Sequence, residues 1–435
     1  MGTTNAEVSI PAWLNAEFVA EIISEEDDIK NFSIIDLDVK PAVPKGSNYM
    51  STLYRIAVKS EDSKIENGVN KHFMILKTLP PGKVLQNLLF DLKGFQKELQ
   101  MYEDTLPAMY RALKDSETST NRRTLPLSAR FFPNKMDNII VLEDLQNLGY
   151  KMGNRVTGLD VEHCRMAVKA LARFHAASVA LYKVDPSSID SYTEELYQDT
   201  DKSRVQTGIF LKQNINTVAC EVEKWTGYEH LADSIRELIP TALDQLVNAT
   251  KPKKDSLNVL NHGDCWVNNM MFHYCPKTGR IDDVKLIDFQ LVRFSSPAAD
   301  LQYFLCTSTN DDIRFAGRDH LLREYHAELT DTLKVLGLES GFTFQQLKDE
   351  FEQMEVFGLL IVFTYLSTML AGANEIPDLN ELQEEHMNGG ADHHPMEKAI
   401  SGRRYRHVAQ TFLRHYDDKG LLARKKRDLV DVQQK

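Results

Sequence analysis

Between residues 257 and 305 the chain gathers side chains that could do chemistry. His262-Gly263-Asp264 is followed by Asn269 in HGDCWVNNMMF, and the apolar run VKLIDFQ carries Asp288 near its end. Leu257 to Leu260 and Val284 to Ile287 are short, apolar and bounded by turn or charged residues, which predicts two strands. Asp264 and Asn269 then occupy a tight loop after one strand, and Asp288 lies at the end of the other. Oxygen side chains at neighbouring strand ends suit phosphoryl transfer. That reaction asks for a carboxylate to orient a hydroxyl nucleophile and for oxygen ligands that hold Mg2+ on nucleotide phosphates. On this reading Asp264 is the base, and Asn269 and Asp288 are the metal ligands. Each residue taken alone could equally be making a turn. The joint spacing in a strand-and-loop context is what points to chemistry. A helix starting near Pro297 puts Asp300 in its first turn, where a carboxylate suits the helix N-terminus. From there Asp300, with His262, is expected to support the Asp264 loop.

Other elements must position the rest of such a site. His72 to Lys77 (HFMILK) reads as a strand ending in a lysine, and Glu98 lies near the middle of a predicted helix running from Leu85 through Tyr102. A strand-borne lysine held by a helix-borne glutamate is how an ATP lysine meets the α- and β-phosphates. Gly46-Ser47-Asn48 lies between two β-rich runs, Ile34 to Val39 and Leu53 to Lys59, and is the candidate phosphate-covering turn, contributing backbone N–H groups. Asn138 to Leu142 is a further strand leading into Glu143-Asp144-Leu145. There the chain passes between two lobes, and the backbone of Glu143 and Leu145 is expected to face an adenine edge.

Residues 10 to 32 have helical spacing, with Trp13, Leu14, Phe18, Ile22 and Ile23 on one side. From Asp160 onward the pattern is mainly helical. His175 falls on an apolar helix face and reads as a hydrogen-bonded core histidine. Residues 371 to 397 lose periodicity and form a loop; His386, His393 and His394 there are too loosely spaced for a zinc site. The basic run Arg424-Lys425-Lys426-Arg427 reads as a solvated helix end.

Bulk properties narrow the class. The chain has 435 residues, too long for one compact core, which predicts two lobes or domains. Its 51 Lys and Arg against 63 Asp and Glu give a net charge of −12, a poor balance for binding nucleic acid. The five cysteines lack CxxC spacing and suit a reducing compartment. MGTTNAEVSIP is no signal peptide, and Phe357 to Leu370 is too short to span a bilayer. A cytoplasmic protein is expected, with no membrane association and no protein partner evident.

Taken together, these residues resemble the ecdysteroid kinase-like (CHK kinase-like) family of insects, which is similar to choline kinases and aminoglycoside phosphotransferases. The resemblance runs through IPAWL at 10–14, GSNYMSTLYRI at 46–56, ILKTLP at 75–80, FQKELQMY at 95–102, IVLEDL at 140–145 and LARFHAAS at 171–178. HGDCWVNNMMF at 262–272 and IDFQ with PAADL at 287–301 complete it. It implies an α+β, two-lobed protein-kinase-like fold with a small β-rich N-lobe and a larger, mainly α-helical C-lobe. The expected divisions are an N-terminal helical extension over 1–32, an ATP-binding N-lobe over 33–142 and a C-lobe over 143–435. The implied activity is ATP- and Mg2+-dependent transfer of the γ-phosphate to a small-molecule alcohol, with an ecdysteroid hydroxyl as the family's acceptor. Xenobiotic or plant alcohols, choline or ethanolamine, and silent ligand binding are the alternatives. IDFQ replaces the Asp-Phe-Gly of protein kinases and lies close to Asp300, leaving no room for a regulated activation loop; both features favour a small substrate.

Overall fold

The structure, a computed structural model, describes residues 10–27, 32–43, 50–62, 69–117, 127–193, 197, 199–339, 341–372, 375 and 396–422. The Gly46-Ser47-Asn48 turn, the three histidines of the 371–397 segment and the basic run after residue 423 lie outside these residues.

Apolar residues alternating with polar ones build the first sheet, as period-two patterning requires. Strands β1 (Phe32–Pro41), β2 (Thr52–Asp62), β3 (Val69–Thr78), β4 (Phe131–Phe132) and β5 (Ile139–Glu143) form five antiparallel strands in the order β1-β2-β3-β5-β4. Tyr54, Ile56, Val58, Met74, Leu76, Ile139 and Val141 all lie on one face, and that face is covered by the helix Ala16–Asp27 through Phe18, Val19, Ile22 and Ile23. Asn15 starts this helix by accepting the Phe18 N–H at 3.1 Å. Ile140 and Leu142 point the opposite way and join the larger core with Phe95 and Tyr102. Lys77 neighbours Leu76, so it too must point away from the N-terminal helix and toward the second lobe.

The expected continuous helix from Leu85 to Tyr102 is broken. It runs as Lys83–Asp91 and Gly94–Gln100, with Lys93 between them in the left-handed region at φ 50°, then a π-turn over Met101–Thr105 and the helix Leu106–Glu117. The break follows from packing. A Cβ at Gly94 would stand 3.2 Å from Leu89 and 3.5 Å from the Gln290 carbonyl, so this turn lies against the segment that follows Asp288.

The second lobe is mainly helical. Its long helices include Val161–Val184, Asp201–Val222, Arg318–Val335 and Arg403–Asp418. Asp160 caps the first of these by accepting the His163 N–H at 3.0 Å. Two small sheets lie within it. Strands β7 (Val259–Asn261) and β10 (Arg293–Ser295) pair antiparallel, while β6 (Lys151–Met152), β8 (Met270–Tyr274) and β9 (Ile281–Leu286) form the other in the order β6-β8-β9. The apolar run Phe357 to Leu370 forms two buried helices, Glu355–Thr364 and Leu366–Leu370, and no helix of the described residues is long and apolar enough to cross a membrane. The small β-rich lobe and the larger helical lobe make up the expected α+β, two-lobed arrangement.

Because Ile22 is fully buried against the sheet, Ile22→Ala is expected to cost about 2–5 kcal/mol. A urea-unfolding midpoint for the variant checks this, with the midpoint falling at unchanged m-value.

Candidate active site

The site is assembled where the two lobes meet. β3 delivers Lys77, and the helix Gly94–Gln100 delivers Glu98. The Lys77 ammonium donates to a Glu98 carboxylate oxygen at 2.6 Å and to Asp288 at 3.0 Å. Lys77 and Glu98 are buried, while the Asp288 side chain keeps 26% exposure. Burial by itself would discharge Lys77, but the charges of Asp288 and Glu98 outweigh it and hold the ammonium above its usual range. Burial pushes the Glu98 carboxyl up to about 7, with Lys77 opposing the shift and Asp288 adding to it. Asp288 itself sits in the left-handed region at φ 68°, an uncommon conformation for a residue with a side chain.

The Asp264 loop leaves β7 and passes into a turn of 3₁₀ helix at Val267–Asn269. Asp264 accepts the Tyr303 hydroxyl at 2.6 Å and the Asn269 amide nitrogen at 2.9 Å, and Asn269 also donates to the Asp264 carbonyl at 2.8 Å. The Asn269 nitrogen is thereby committed, which leaves its carbonyl oxygen as the atom suited to a hard cation. Burial pushes the Asp264 carboxyl up; the Tyr303 hydrogen bond opposes this and the negative charge of Asp288 adds to it.

Asp300 fixes this loop. It lies in the first turn of the helix Ala298–Thr307, is wholly buried, and accepts the backbone N–H groups of His262 at 2.6 Å and Gly263 at 2.9 Å. Burial alone would raise its carboxyl, but the bond and charge of His175, followed by His262 and the Gly263 N–H, hold it below the ordinary carboxylate range. His262 reaches the other strand end, its Nε2–H donating to the Ile287 carbonyl at 3.0 Å. Gly263 is obligatory: its φ is +82°, and a Cβ there would stand 1.9 Å from the Leu291 carbonyl oxygen.

Glu143 and Leu145 lie where the lobes join. The Glu143 N–H is taken by the Arg130 carbonyl at 2.9 Å, and the Leu145 carbonyl accepts from Leu148 and Tyr150. The Glu143 carbonyl and the Leu145 N–H have no backbone partner among the described residues. Asp144, between them, forms an ion pair with Arg55 at 2.7 Å, which ties the junction to β2.

Direct contacts thus bring together Lys77, Glu98 and Asp288 as one group and Asp264, Asn269, His262 and Asp300 as another, the two joined through the His262 bond to the Ile287 carbonyl beside Asp288, while the phosphate-turn residues Gly46, Ser47 and Asn48 lie outside the described residues. Sequence reasoning missed Tyr303, which touches Asp264, and the role of His175. The latter is a buried core histidine as expected, but it bridges Asp300 at 3.2 Å and the Tyr325 hydroxyl at 2.7 Å. Tyr303 was readable only as one helical step beyond Asp300. Among the described residues no group of three or more His, Cys, Asp and Glu side chains could hold a metal by itself, and the five cysteines are free thiols.

Comparison with known proteins adds the following. The family model described as the ecdysteroid kinase-like family matches residues 45–338. No curated protein matches in sequence. Among solved structures, the chain is similar to a choline kinase from Cryptosporidium parvum Iowa II at 13% identity and TM-score 0.43, covering 95% of this chain and 94% of that one. It is similar to choline kinase LicA from Streptococcus pneumoniae at 14% identity and TM-score 0.40, covering 92% and 99%. An aminoglycoside phosphotransferase from Streptomyces rimosus in complex with ADP and streptomycin matches at 13% identity and TM-score 0.31, covering 82% and 98%.

Two outcomes follow from this geometry. Gly263→Ala should cost about 3 kcal/mol or more through strain and steric overlap, read as a lowered thermal midpoint. Lys77→Met leaves two carboxylates without their cation. Glu98 already has a raised folded value of about 7 against an ordinary 4.5, so its contribution to stability is full below 4.5 and lost as pH rises toward 7. Removing Lys77 deepens that loss: the variant should be destabilised by about 3–5 kcal/mol at pH 8 and clearly less at pH 5, measured by urea unfolding at both values.

Proposed function

We propose that this chain, which belongs to the ecdysteroid kinase-like family, transfers the γ-phosphate of ATP to the hydroxyl of a small-molecule alcohol. The observation that carries the reading is the contact of Lys77 with both Glu98 and Asp288, at 2.6 Å and 3.0 Å, across 211 residues of chain in the second case. A buried lysine held between a helix carboxylate and a strand-end carboxylate is the arrangement that seats nucleotide phosphates beside a metal ligand.

The remaining roles are assigned on the same basis. Asp264 orients the acceptor hydroxyl and takes its proton. Tyr303 and Asn269 occupy one carboxylate oxygen each and so fix its direction, while burial makes the carboxyl a better base than a solvated aspartate. The Asn269 carbonyl oxygen and the Asp288 carboxylate would hold Mg2+, with nucleotide phosphates and water completing its oxygen shell. Bound there, the cation would neutralise charge building on the transferred phosphoryl group. The Glu143 carbonyl and the Leu145 N–H offer one acceptor and one donor to an adenine edge. Glu143 stands three places beyond Ile140, the residue opposite Lys77 on β5, so the adenine and phosphate ends of the site lie about 10 Å apart at strand rise. Gly46, Ser47 and Asn48 are proposed to cover the phosphates.

An ecdysteroid hydroxyl is the acceptor the family description suggests, with plant or xenobiotic alcohols and choline as competitors. The test is phosphoryl transfer from Mg-ATP to a panel of ecdysteroids, phenols, plant glycosides and choline, followed by mass spectrometry. Wild type should add one phosphate to an acceptor, and Asp264→Asn should reduce the rate by about 10²–10⁴-fold while Mg-ATP binding persists. Transfer at an undiminished rate in the variant would refute Asp264 as the base.

A further inference from the structure

Three arginines of the described residues are deeply buried: Arg293, Arg314 and Arg318. Arg314 donates to the Thr309 carbonyl at 2.8 Å and pairs with Asp311, and Arg318 donates to the Arg314 carbonyl at 2.8 Å and pairs with Glu355. The Arg293 side chain, on a residue 3% exposed, has no hydrogen bond or ion pair with any described residue, and its Nε and one Nη are shielded with no partner. Its guanidinium instead faces the ring of Phe357, 5.8 Å from the centroid. A ring face offsets part of the charge but accepts none of the five N–H bonds a guanidinium presents. A buried charge left in this state is costly to a folded protein, and such a cost is retained where a ligand completes it.

The position of Arg293 says which ligand. On β10 it stands opposite Asn261 of β7, the residue immediately before His262-Gly263-Asp264. Tyr197 and Tyr365, whose hydroxyls meet at 3.1 Å, lie within the electrostatic reach of both Arg293 and Asp264. Tyr303, bonded to Asp264, lies in the same neighbourhood. Phe210 packs at a tilt against Tyr365, 5.7 Å between centroids, extending an aromatic wall.

Resting on the phosphotransferase reading above, we propose that Arg293 is a specificity-determining residue. It binds a carbonyl or carboxylate oxygen on the acceptor alcohol, whose hydroxyl then meets Asp264, and it excludes acceptors that place a cationic group there. An ammonium beside an unpaired guanidinium would meet like-charge repulsion in a dry site, whereas an oxygen acceptor satisfies the stranded N–H groups. The tyrosines supply apolar faces for a carbon skeleton and hydroxyls for further oxygens.

The experiment compares wild type with Arg293→Met, and with Arg314→Met as a control for a structurally paired arginine. Arg293→Met should have a thermal midpoint no lower than wild type and should bind Mg-ATP within twofold, whereas Arg314→Met should melt lower. Acceptors are built on one steroid alcohol carrying a ketone, a carboxylate or a trimethylammonium group at the same position. Wild type should favour the ketone or the carboxylate, and the relative rates of the two distinguish a neutral from an anionic ligand. In Arg293→Met the KM for the favoured acceptor should rise 10-fold or more with kcat less affected, and the discrimination against the trimethylammonium compound should narrow. A midpoint that falls as far as that of Arg314→Met, or an unchanged acceptor ranking, overturns the proposal. Should none of the three be phosphorylated while Mg-ATP binds, the choice of a steroid acceptor for the transfer reading is what has failed. Direct binding of the steroid carboxylate then decides this one: 10-fold weaker binding to Arg293→Met sustains it, and equal binding overturns it.

Discussion

The buried carboxylate of Asp300 is the constraint around which this molecule's centre is built. It is wholly buried and meets two consecutive backbone N–H groups and a histidine, so its charge is spread over three donors instead of water. Everything downstream of β7 takes its direction from that anchorage. With the amides of His262 and Gly263 pinned, the chain turns through a left-handed glycine packed on the Leu291 carbonyl, and Asp264 emerges toward Tyr303 and Asn269. The anchor is itself anchored, because Asn261 accepts the Asp300 N–H at 3.1 Å and donates to Ser295, while His175 leans on Tyr325. A buried polar network of this kind is stable only when every member is satisfied, and here the members come from two strands and three helices.

A second constraint joins the lobes. Lys77 belongs to the first sheet and Asp288 to the segment just beyond β9, yet one ammonium serves both Asp288 and Glu98. The helix that carries Glu98 has to approach Asp288 closely, and the broken turn at Lys93 and Gly94 is the backbone's answer to that demand. The N-terminal helix closes the far side of the sheet, so that strands with apolar residues on both faces are covered on both.

The chemistry proposed for the site needs few atoms from the protein but needs them held still. Burial, two fixed hydrogen bonds on Asp264 and a committed amide nitrogen on Asn269 supply that stillness. Arg293 is the exception: among the buried arginines its side chain alone has no hydrogen-bond or ion-pair partner among the described residues, and it lies one β-bridge from the loop that bears Asp264. The contrast between a saturated network around Asp300 and an unsaturated guanidinium nearby separates groups that build the fold from one that awaits a ligand.

Local pattern was enough to read much of this from sequence. Strands β2, β3, β5 and β9, the helix from Asp160, the helix start near Pro297 and the N-terminal apolar face all follow from period and capping residues. The motif residues Asp264, Asn269, Asp288, Lys77 and Glu98 were legible because their spacing within predicted strands and loops is rare by chance, and the family followed from them. The break at Lys93 was not legible, because it answers to Gln290, far along the chain. Tyr303 on Asp264, His175 under Asp300 and the stranded Arg293 were decided by tertiary structure alone. Each looks ordinary in its own segment, and only packing from distant elements determines whether a buried polar atom finds a partner or is left without one.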